Sequence, residues 1–168
     1  MKELTMMHAL TAASTRLLKF TLGALAAVAL STAFGAAPIN TLEGGFFGGR
    51  TDVAIRGFDT VAYFSEGKAV KGQDGFSTEW MGGKWKFVSQ AHLEQFKTSP
   101  EKYAPQYGGY CAYGVSQGNL VKVEPEQFKI LQGKLYLNYD TSVQALWLKD
   151  PAGYIRIADG KSADLLKK

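Results

Sequence analysis

An α+β fold is predicted by three observations. Short alternating segments flank two glycine-containing turns, Gly82-Gly83 and Gln132-Gly133, as in antiparallel hairpins. Helix starts recur between and after them, at Ser89, Ser99-Pro100 and Asp150-Pro151. The 168 residues suffice for one domain with a real core and are too few for two comfortable ones.

The first third is not globular in character. Met1 to Lys19 carries Lys2, Arg16 and Lys19 against the single acid Glu3. Phe20 to Ala29 is apolar, and small residues follow at Ser31, Ala33, Gly35, Ala36 and Ala37. A basic start, an apolar centre and a small-residue end are the parts of a secretory signal peptide. The apolar run is shorter than the roughly 20 residues a spanning helix needs. Residues 1–37 are therefore expected to be a signal peptide, with the membrane involved only during export and a periplasmic or secreted product. Residues 38–50 read as a glycine-rich linker, in which Phe46 and Phe47 offer anchors to the domain surface. The domain proper is expected over 51–168.

Asp59 is placed to cap a short helix over Thr60–Phe64. Ala69 to Gly75 reads as a polar loop. In the hairpin Phe76–Ser89, Phe76, Thr78 and Trp80 alternate with polar residues, and Trp80, Trp85 and Phe87 are expected to face a core. Ser89 opens a helix over Gln90–Lys97 with Leu93 and Phe96 inward and His92 bordering that face. Pro100 starts another turn of helix. Cys111 to Gln117 reads as a short helix closed by Gly118. Gln127–Leu131 and Lys134–Tyr139 form the second hairpin, with Leu135, Leu137 and Tyr139 alternating with Tyr136 and Asn138. Helices over Thr141–Leu148 and from Pro151 to the end complete the chain.

The net charge is +4, of which the amino-terminal segment supplies half, and the remaining lysines are scattered. Nucleic acid is not an expected partner. The sequence has no phosphate loop, HExxH or CxxC, and no Ser-His-Asp set stands out. Cys111 is the only cysteine, and His92 is the only histidine once His8 leaves with the signal. An exported lone thiol is buried, metal-bound, redox-active or joined to another chain. Gly108-Gly109 precede Cys111 at a helix start, and no acid lies between Glu101 and Glu124. These features predict a thiol pKa below the roughly 8.5 of free cysteine. Thiolate, imidazole and the thioether of Met81 are soft donors that suit copper better than zinc or magnesium.

The chain resembles the YHS domain family, and within it the exported bacterial YHS-domain proteins. The resemblance covers about Ile55 to Gly118. It rests on Gly57-Phe58-Asp59-Thr60-Val61-Ala62-Tyr63-Phe64, Phe76-Ser77-Thr78-Glu79-Trp80, Gly83-Lys84-Trp85-Lys86-Phe87, and Phe96 with Ser99-Pro100-Glu101-Lys102-Tyr103. It implies a YHS-like core of short helices and antiparallel hairpins, extended by the C-terminal hairpin and helices. Metal-associated members carry cysteines at places that fall here on Ala62, Val88 and His92, so their site does not carry over intact. The exported subgroup resembles this chain in Gly-Gly-Tyr-Cys-Ala-Tyr-Gly. Some similar sequences have selenocysteine at the place of Cys111, which implies a reactive atom there.

Three functions follow as expectations. The first is a soft-metal module for copper, with Cys111 as main ligand and His92 as helper. The second is a thiol redox protein in which Cys111 cycles through sulfenic acid or a mixed disulfide with a partner thiol protein. The third is an interaction or ligand-binding module whose pocket is lined by Tyr107, Tyr110, Tyr113, Trp80 and Trp85.

Overall fold

Each predicted glycine turn closes an antiparallel hairpin in the computed structural model, which describes residues 38–42 and 49–167. The expected signal peptide and residues 43–48 of the expected linker lie outside the described residues. The elements are α1 (Ala62–Ser65), β1 (Gln73–Trp80), β2 (Gly83–Phe87), α2 (Gln90–Thr98), α3 (Pro100–Tyr103), α4 (Ala112–Ser116), β3 (Glu124–Leu131), β4 (Lys134–Asn138), α5 (Thr141–Trp147) and α6 (Pro151–Leu165). Two 3-10 turns, Ala54–Gly57 and Gln106–Gly109, complete the set. The fold is α+β, and no helix among the described residues is long and apolar enough to cross a membrane.

The first hairpin differs from expectation in its turn. Trp80 pairs with Gly83, so the two-residue loop is Met81-Gly82 and not Gly82-Gly83. Both loop residues take positive φ, 49° at Met81 and 76° at Gly82, as a type I′ connection requires. Gly83 is held in the strand because a Cβ there would press on Ile39 and Ala54, at 3.1 and 3.2 Å. β1 also begins earlier than expected, at Gln73, with a register shift before Ser77. In the second hairpin, Gln132-Gly133 forms the loop as expected.

Trp85 and Phe87 are buried, with Phe96 of α2 against both rings, and Trp80 packs partly buried on the same cluster. This core also takes Leu135 and Leu137 of β4. A second cluster joins Tyr136, Trp147, Val115 and Ala158 beneath α4 and α6. β4 is therefore covered on both faces. That is why Leu135, Tyr136, Leu137 and Asn138 are all buried where simple alternation was expected, while Tyr139 is exposed.

The start of the expected linker is part of the domain. Ile39, Asn40 and Thr41 are buried. Asn40 donates from its backbone to Gly108 O and from its amide to Gly109 O, at 2.8 and 2.9 Å. A glycine-rich stretch carries no local sign of such docking, because its partners lie some seventy residues away.

Candidate functional site

The turn Gln106–Gly109 delivers the chain into Cys111. Tyr107, Gly108 and Gly109 all have positive φ. A Cβ on Gly108 would strike the Pro38 carbonyl, and one on Gly109 would strike Ile55 Cδ1, so glycine is required twice. Cys111 is the N-cap of α4, its Sγ accepting from Gly114 N at 3.3 Å. Its backbone N–H donates to Val121 O at 3.3 Å. The thiol points to Asn138 Oδ1 at 3.8 Å, and Asn138 is itself buried.

This arrangement runs against the low thiol pKa expected of Cys111. The residue is only 1% exposed. Burial pushes the thiol pKa up, and the backbone N–H groups of Gly114, Tyr139 and Tyr113, which favour the thiolate, do not reverse it. The helix start is present as predicted. A five-residue helix supplies too little field to outweigh desolvation.

His92 has partners of its own. Asp59 is fully buried and accepts four N–H groups: Val61 N at 2.8 Å, Ala62 N at 3.2 Å, Val88 N at 2.9 Å and His92 Nδ1 at 2.7 Å. A carboxylate with four donors around it is acceptor-only, which makes Nδ1 the protonated ring nitrogen. His92 Nε2 lies 3.5 Å from Ser65 Oγ, near the surface. Asp59 Oδ1 accepts from Val61 N and Ala62 N at the entry to α1, and the helix begins at Ala62, two residues later than the sequence predicts. The second role of Asp59, clamping β2 and α2 through Val88 and His92, was missed because those contacts span about thirty residues.

Ser65, His92 and Asp59 thus stand in a row, although no such set stood out in the sequence. Their geometry does not make Ser65 a nucleophile. Its hydroxyl donates to Val61 O at 3.2 Å and stands 3.5 Å from His92 Nε2, a long and weak contact. His92 is engaged by Asp59, and Cys111 by Gly114 N and Asn138 Oδ1, so the two expected copper ligands have different hydrogen-bond partners. Among the described residues, no group of three His, Cys, Asp or Glu is placed to hold a metal ion. Met81 stands half exposed on its turn.

A cleft of about 590 Å³ opens between the β3–β4 turn and α6. Leu131, Tyr136 and Ile155 supply apolar lining, and Lys134, Arg156 and Asp159 supply charge. It is larger than the hollows along α2, about 290 Å³, and α3, about 430 Å³. None of the expected aromatics, Tyr107, Tyr110, Tyr113, Trp80 and Trp85, lines this cleft; the aromatic residue in its wall is Tyr136, itself only 4% exposed. Tyr136 was passed over because alternation made it the solvent side of β4. Tyr107 contributes from behind, its hydroxyl donating to Asp159 Oδ1 at 2.9 Å. Burial raises the pKa of both phenols, and the Asp159 carboxylate raises them further.

The chain matches no protein family, no curated protein and no solved structure in the three comparisons made.

Proposed function

We propose that this chain is an exported ligand-binding module, a YHS-like core carrying a C-terminal extension that holds a small molecule between the β3–β4 turn and α6. The observation that carries the reading is the cleft itself, of about 590 Å³, with apolar and aromatic walls and a few charged groups. Volume and lining of that kind suit a small ligand. The export and YHS elements rest on the amino-terminal pattern and on the motifs between Ile55 and Gly118. The test is an NMR titration with a library of small aromatic and aliphatic compounds. Shifts gathered at Leu131, Tyr136 and Ile155 support the reading. Shifts confined to other surfaces, or none, overturn it.

A second reading, soft-metal binding, is favoured by the hydrogen bond from His92 Nδ1 to Asp59. Metal-bound histidines commonly donate their second nitrogen to a carboxylate, which orients the ring and raises its basicity. In this reading His92 Nε2 is the ligand, a partner supplies the rest, and Cys111 takes no part. Titration with Cu(I) separates the possibilities. Binding lost in His92→Ala and kept in Cys111→Ser supports it. The reverse pattern returns the metal to the thiol.

A further inference from the structure

Resting on the cleft reading, we propose that the ligand is a small amphipathic carboxylate, its apolar body against Leu131, Tyr136 and Ile155 and its anion toward Lys134 and Arg156. The charges around the cleft decide the class. Asp159 is already engaged by the Tyr107 hydroxyl. The side chains of Lys134 and Arg156 make no hydrogen bond or ion pair with any described residue, while Arg56, Lys86, Lys97 and Lys122 each have a carboxylate partner. Two cations against one carboxylate leave the cleft with one net positive charge. A monoanion balances that charge, whereas a dianion leaves an excess beside Asp159. Arg156 offers a planar fork that matches a carboxylate, and Lys134 adds a mobile point charge.

The apolar lining sets the other half of the ligand. Tyr136 is held by Trp147, with ring centroids 5.4 Å apart, and is only 4% exposed, so the partly exposed Leu131 and Ile155 supply more of the apolar surface. An anion without an apolar body would leave Leu131 and Ile155 uncovered.

The experiment compares 1-naphthylacetate, 1-naphthylacetamide and 1-naphthyl phosphate by calorimetry and by NMR shifts at Tyr136 and Ile155. The acetate is expected to bind about fivefold more tightly than the amide, the scale of exposed charge pairs. That preference should fall below about twofold in the Lys134→Gln/Arg156→Gln variant and in 1 M salt, where charges are screened. The variant's unchanged thermal melt would show that it is folded. Equal binding of acetate and amide overturns the charge assignment and leaves the cleft standing. Tighter binding of the phosphate overturns the monoanion. Absence of binding by all three, with no shift at Tyr136 or Ile155, removes both the carboxylate class and the cleft reading. Failure of the class alone is therefore distinct from failure of the site.

Discussion

His92 Nδ1 lies 2.7 Å from Asp59 Oδ2, and the Asp59 side chain is wholly shielded from solvent. The same carboxylate caps α1 and receives Val88 N, so one residue ties the first helix to the end of β2 and to α2. The pair is unequal. Asp59 holds four donors, whereas His92 gives one.

The inequality predicts unequal mutational cost. Asp59→Ala leaves three backbone donors, those of Val61 and Ala62 buried, and the imidazole without an acceptor, and should cost about 3–5 kcal/mol in urea unfolding. His92→Ala leaves the carboxylate with its three backbone donors and should cost about 1–2 kcal/mol. Equal losses would show that the imidazole, and not the backbone amides, is the main support of Asp59.

Phe87 is fully buried, with the Phe96 ring 5.0 Å away. Phe87→Ala should therefore cost about 3–5 kcal/mol. A loss well under about 1 kcal/mol in a denaturant melt would contradict the packing of β2 on α2.

Cys111 should resist alkylation in the native protein from neutral pH to pH 9 and react once urea exposes it. The pH dependence has a definite sign. Burial raises the native thiol pKa, so above the ordinary thiol value the unfolded chain loses its proton first. The stabilisation linked to this thiol is complete below that value and is lost as pH rises through the native one. Cys111→Ala should flatten that part of the alkaline decline in stability. Fast native alkylation near neutrality would restore the reactive-thiol reading.

Gly108 and Gly118 provide a matched pair, with φ of 63° and 86°. Gly118 has open space where a Cβ would go, and Gly108 faces the Pro38 carbonyl. Gly118→Ala should cost only the left-handed penalty of about 1–2 kcal/mol. Gly108→Ala should cost clearly more, because Pro38 must also move. Equal costs in thermal melts would mean that the Pro38–Asn40 segment does not press on the turn.

Export predicts a mature chain that begins between Phe34 and Pro38. N-terminal sequencing of the protein from native cell fractions checks this, and retention of Phe20 to Ala29 would indicate an anchor.

Local chemistry was legible along the chain. Asp59 and Ser89 as caps, Pro100 and Pro151 at helix starts, the Gln132-Gly133 turn and the inward Trp85 and Phe87 all depend on residues within a few positions of one another. Their effects act through backbone dihedrals and near-neighbour hydrogen bonds, which sequence order specifies directly. Tertiary structure alone decided the rest. Gly82 and Gly83 look equivalent until Ile39 and Ala54 pack against Gly83. Tyr136 looks outward until the second cluster, with Trp147 and Ala158, covers it. Cys111 has a helix start in its favour, but burial in a core shared by both hairpins pushes its thiol pKa up. Desolvation depends on everything that surrounds a group, and most of what surrounds these residues comes from distant parts of the chain.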